Sequence, residues 1–157
     1  MKPFSDKVLL GIIVLLTAAL AITAAVKLSP LLNPPQKISL PLNTACDLHQ
    51  GPCAASLPGG GRVEFSLEPR PIPVLKPLKL HVKVTGIKAG SVEVDFAGVD
   101  MKMAFNRPRL VPGKDGLFTG EATLPVCVRD QMAWQATILV ESDGKRIAVP
   151  FRFETKR

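Results

Sequence analysis

The chain has 157 residues, a net charge of +7 and a hydrophobic fraction of 46%, which suits one domain with an appendage. It has no Tyr, its aromatics amount to 5%, and its basic residues are spread along the sequence; base-stacking nucleic-acid platforms are therefore not expected. The 15 Pro and 12 Gly fit short strands joined by turns better than long helices.

Val8 to Val26 is an uncharged run, VLLGIIVLLTAALAITAAV. As a helix it spans ~28 Å, close to the ~30 Å hydrocarbon core of a bilayer. Lys2, Lys7 and Lys27 flank it. The run is longer than a usual signal-peptide core of ~7–15 residues. Residues 1–27 are thus expected to be a signal-anchor transmembrane helix, the competing reading being a cleaved signal peptide. Both readings place the remainder, which keeps a charge of +5, outside the cytoplasm.

Residues 28–61 read as a Pro/Gly-rich linker carrying a cysteine pair. Ser29 to Gln36, SPLLNPPQ, opposes helix and favours an extended spacer. Ile38 to Leu42 suits an edge strand, with Pro41 restricting it to an edge. Cys46 and Cys53 follow at C-x6-C spacing, with His49 between them. With Cys127 they make three disulfide candidates, and an odd thiol remains if two pair. A Cys46–Cys53 staple would contribute about 2.5 kcal/mol, a longer link to Cys127 about 4.5 kcal/mol. The sharper reading takes His49 and the thiols as soft metal ligands.

Residues 62–157 read as a β domain. Val63, Phe65 and Leu67 alternate with polar residues, as do Leu78, Leu80, Val82 and Val84. His81 falls on the polar face of the second of these strands. Val92, Val94 and Phe96 continue the pattern, followed by Leu117 to Leu124, then Trp134, Ala136, Ile138 and Val140. Ser142-Asp143-Gly144 is a hairpin turn, and Ile147, Val149, Phe151 and Phe153 close the domain. The expected fold is all-β: an immunoglobulin-like antiparallel β-sandwich of seven to eight strands behind one transmembrane helix.

The stretch Asp100–Trp134 concentrates the unusual chemistry. It holds Met101, Met103, Met132, Cys127 and the single Trp134. Met101 and Met103 stand at i and i+2, so in a strand they share a side. Thioethers are soft and suit Cu(I), but they also fill irregular core gaps. Met101, Met103, Cys46, Cys53, Cys127 and His49 therefore form the candidate copper-ligand set.

VEVDF, then DMKM, GLFTGE, the Leu124-Pro125 step, MAWQATILV and the final FRF together resemble the FixH/YtkA-like family over roughly residues 62–155. That resemblance implies a membrane-anchored immunoglobulin-like domain on the periplasmic side of a bacterial inner membrane. It also implies copper handling or support of a respiratory oxidase or other membrane complex.

An enzyme is not expected. The chain has only His49 and His81, no Gly-x-Ser-x-Gly elbow and no C-x-x-C pair. Gly59-Gly60-Gly61 lacks the Lys and helix of a phosphate loop. Two functions remain: a periplasmic copper-binding module, or a metal-free interaction and assembly domain of a membrane complex.

Overall fold

The computed structural model describes residues 6–32, 36–101, 104–125 and 130–156. The chain divides into two compact units, Met1–Pro35 and Gln36–Arg157.

The first unit is one helix, α1 (Asp6–Leu32). Its residues 6–28 are long and apolar enough to cross a membrane, and none of that apolar surface is covered by protein. The run's two hydroxyls are satisfied within the helix: Thr17 Oγ1 donates to the Val14 carbonyl, and Thr23 Oγ1 to Ala19 and Leu20. The helix extends past Pro30, where the sequence suggested an extended spacer. Proline costs one ladder bond there, close to the helix end.

The second unit is a two-sheet sandwich of β1 (Gln36–Ser39), β2 (Cys53–Ser56), β3 (Arg62–Glu68), β4 (Pro77–Thr85), β5 (Ser91–Gly98), β6 (Val111–Pro112), β7 (Leu117–Thr123), β8 (Gln131–Ser142) and β9 (Lys145–Lys156). One sheet runs β1-β9-β8-β5, the other β2-β3-β4-β7-β6. Setting β1 and β2 aside, the order β3-β4-β7-β6 against β5-β8-β9 is the ABED/CFG order of an immunoglobulin sandwich. β1 and β2 enlarge it, so the compact unit reaches back into the stretch read as linker. The pairing is antiparallel except at β1, which lies parallel to β9 in the register Gln36↔Lys145 to Ser39↔Ala148.

Alternation explains the layers. Val63, Phe65, Leu67, Leu78, Leu80, Val82, Val92, Val94, Ile138 and Val140 are buried between the sheets, and their neighbours in sequence face outward. The Phe65 and Phe151 rings, one from each sheet, lie 5.9 Å apart. Trp134 is buried, and its indole N–H donates to Thr155 Oγ1 at 2.9 Å. Beyond β5, residues 106–110 cover the sheet edge. Val94 N–H donates to the Pro108 carbonyl, Phe96 N–H to Asn106 and Leu110 N–H to Val92. The chain then crosses to the other sheet as β6, seating Leu110 over Gly120.

Candidate functional site

The register gives the sandwich two distinct ends. Gln36 lies beside Lys145 at the start of β9, so the chain joins the sandwich there. Nine residues along β9, about 30 Å of extended strand, Glu154 marks the far end. There the His49 Nε2 atom lies 2.6 Å from the Glu154 carbonyl oxygen. Since a carbonyl only accepts, Nε2–H donates and Nδ1 is the ring's remaining acceptor.

The loop carrying His49 is built by Asp47. Its Oδ1 accepts from the His49 backbone N–H at 2.9 Å and its Oδ2 from Gln50 Nε2 at 3.1 Å. Its carbonyl accepts from the N–H groups of Gln50 and Gly51. Leu48 points inward and is fully buried. Cys46 and Cys53 close the loop as a disulfide with a Cα–Cα distance of 5.7 Å. While bonded, neither sulfur offers a thiolate to a metal, so these two leave the candidate ligand set in this state. A cavity of about 530 Å³ opens beside the loop, lined by Asp47, His49, Pro71, Ile72, Pro73, Glu154 and Lys156.

Met101 lies at the same end. It stands two residues beyond Val99, whose N–H donates to the Ala133 carbonyl, and Ala133 pairs with Glu154. Its side chain is half-buried and packs against the core. Met132, paired with Thr155, is buried. Met103 and Cys127 lie outside the described residues. Cys127 belongs to the connection between Thr123 and Gln131, so its two flanks also reach this end. Among the described residues, no three His, Cys, Asp or Glu side chains gather as a metal centre.

The sequence reading did not single out the apolar rim of this end. Phe105 is 77% exposed and Leu75 66%, with Val99 partly exposed nearby. Leu75 adopts a left-handed backbone, φ 58°, and its N–H donates to the Leu124 carbonyl at 2.9 Å. Asn106 Nδ2 donates to the preceding carbonyl, that of Thr123, at 3.0 Å. Leu75 and the Phe105–Asn106 pair thus flank the same two-residue step. The Arg107 guanidinium lies 4.7 Å from the Phe105 ring centre, while its Nε is 3.2 Å from Asp95. Neither apolar residue belongs to an alternating run, so periodicity carried no signal for them.

No family model, curated protein or solved structure matches this chain. The residues of GLFTGE now have structural roles. Gly116 has φ +73° beside the Val84 carbonyl, Phe118 is buried, and Gly120 lies beneath Leu110. The motif behind much of the FixH/YtkA-like resemblance therefore describes how a hairpin packs.

Proposed function

We propose that the protein is a membrane-anchored, extracytoplasmic β-sandwich that works by binding, as an assembly or interaction module of a membrane complex. The observation behind this reading is the apolar rim of Phe105 and Leu75, at the end of the sandwich away from Gln36. Single exposed apolar residues are ordinary. Here, however, a leucine is kept in a backbone region that costs a non-glycine residue about 1–2 kcal/mol, and it gains little burial in return. The apolar α1 supports the anchor, and the Cys46–Cys53 disulfide supports an oxidising compartment.

Site-specific photo-cross-linking in native membranes tests this. A cross-linker at position 105 or 75 is expected to give a discrete adduct, and one at Val111 none. Equal patterns from all three positions, or no adduct at 105 and 75, would overturn it.

A second reading keeps copper. It rests on the gathering of Met101 and His49 at one end together with both flanks of Cys127. Cu(I) would be held by thioethers of Met101 and Met103, the Cys127 thiolate and His49 Nδ1, in support of respiratory oxidase assembly or envelope copper handling. Titration with Cu(I) against a chromophoric competitor should give one equivalent in the oxidised wild type. Unchanged binding by M101L/M103L would remove the methionines from the site.

A further inference from the structure

The outer face of the β1-β9-β8-β5 sheet holds a second hollow, which meets the apolar rim at Arg107, whose guanidinium lies against the Phe105 ring. Its volume is about 350 Å³, and it is lined by Lys37, Ile38, Ser39, Arg107, Leu139, Arg146 and Ala148. The register explains its shape. Ser39, Ala148 and Leu139 form one row across three strands. Two of these side chains are small, so the row makes a shallow floor. Lys37 and Arg146 pair in the next row but one and form one wall, and Arg107 forms the other.

Three cations and no acid line this hollow. The other two hollows described mix signs: Asp47 and Glu154 with Lys156 in one, Glu68 and Glu121 with Arg70 and Lys79 in the other. Arg107 and Arg146 are each held on one side by a carboxylate, Asp95 and Glu141. The Arg107 Nε faces Asp95 Oδ1 at 3.2 Å, whereas the Arg146 Nε is buried without a hydrogen-bond acceptor. Lys37 is exposed and, among the described residues, has no ion pair. The hollow thus combines the uncompensated charge of Lys37 and two guanidinium groups with the apolar surface of Leu139. Such a site suits an anion that carries hydrocarbon.

The sequence position of Lys37 selects the source. It follows the end of α1 by five residues, at most about 18 Å of extended chain. We propose that this hollow seats the headgroup phosphate of an anionic phospholipid, with Lys37 and Arg146 contacting the phosphate and Leu139 contacting the glycerol and upper acyl carbons. The inference rests on the anchored reading of α1.

Methyl NMR of the full chain in lipid nanodiscs tests it. Discs of phosphatidylcholine alone are compared with discs containing phosphatidylglycerol, following the Leu139 and Ala148 methyls. Shifts confined to these methyls are expected in the anionic discs, about fivefold weaker in response to phosphatidylglycerol for K37Q. A148W, which fills the floor without changing charge, should abolish them. Identical spectra in both discs would overturn the proposal, as would shifts that inorganic phosphate reproduces in neutral discs. Carbonate extraction of membranes separates this from failure of the anchor: retention with no anionic-disc shifts removes the headgroup site alone. If carbonate strips the chain, the anchor reading falls and vesicle flotation decides the site. Flotation on phosphatidylglycerol vesicles that K37Q weakens keeps it, and equal flotation on neutral vesicles overturns it.

Discussion

Several single residues decide more than their neighbours. A Cβ at Gly116 would lie 2.2 Å from the Val84 carbonyl oxygen, on a backbone with φ +73°. Strain and clash act together, so G116A is expected to cost more than about 2 kcal/mol, read as a lower denaturation midpoint with Trp134 fluorescence in detergent. Leu75 makes the opposite case. It too has a left-handed backbone, but it is exposed, so L75G relieves strain while losing little burial. That variant should keep or raise stability by up to about 1 kcal/mol while losing the cross-linked adduct. Stability bound to Leu75 by burial would instead show as a loss. Glu141 carries the molecule's clearest titration. Hydrogen bonds from Arg146 and then Ser91 hold its carboxyl below the usual range. A depressed carboxylate stabilises above its unfolded pKa and loses that contribution as pH falls through the folded value. E141Q should therefore cost stability at pH 7 and converge with wild type under acid. Glu141 and Arg146 are both partly exposed to solvent, so the difference stays below about 1 kcal/mol.

At the scale of elements, the sequence read well wherever one strand face is apolar and the other polar. The runs through Phe65, Val82, Val94, Ile138 and Phe151 became β3, β4, β5, β8 and β9 with the expected inward residues. What it could not supply was non-local. Cys53-Ala54-Ala55-Ser56 has no alternating bulk, and it becomes β2 only because β3 offers an edge. The parallel placement of β1 on β9 joins the two extremes of the sandwich, and no local pattern encodes that. Residues 106–110 close the β5 edge with carbonyls contributed by Asn106 and Pro108, in a stretch with no apolar alternation to announce it. The same limit applied to the site. Residue type singled out the sulfurs and His49, whereas Lys37, Arg107 and Arg146 meet only once β1, β9 and the 106–110 segment come together. The His49 loop is the element whose stability is easiest to isolate. Its disulfide closes a short loop, with six residues between the bonded positions. C46S/C53S should lower unfolding stability by about 2.5 kcal/mol, matched by reduction of the wild type. A much larger loss would mean that the loop's buried Leu48 depends on the staple as well.

At the scale of the molecule, two compact units share one chain. Among the described residues, the core of the sandwich is drawn from Gln36–Arg157, and the apolar run of α1 is exposed over residues 6–28. Apolar side chains such as Leu10, Leu15 and Leu16 lie open all round the helix, an arrangement water penalises and hydrocarbon accepts. Damage to the helix and damage to the sandwich should therefore be separable. Replacing Leu15 and Leu16 with lysine places two charges near the middle of the run, at about 3 kcal/mol each on insertion scales. The variant should pass from the carbonate-resistant pellet to the supernatant. Its sandwich should unfold at the wild-type midpoint by Trp134 fluorescence, because no helix residue belongs to the core. The G116A change should do the reverse, lowering that midpoint while the chain stays in the pellet. If the lysine variant also loses the fluorescence transition, the sandwich needs the membrane to fold. The helix would then be part of its stability and could not be described as an anchor alone.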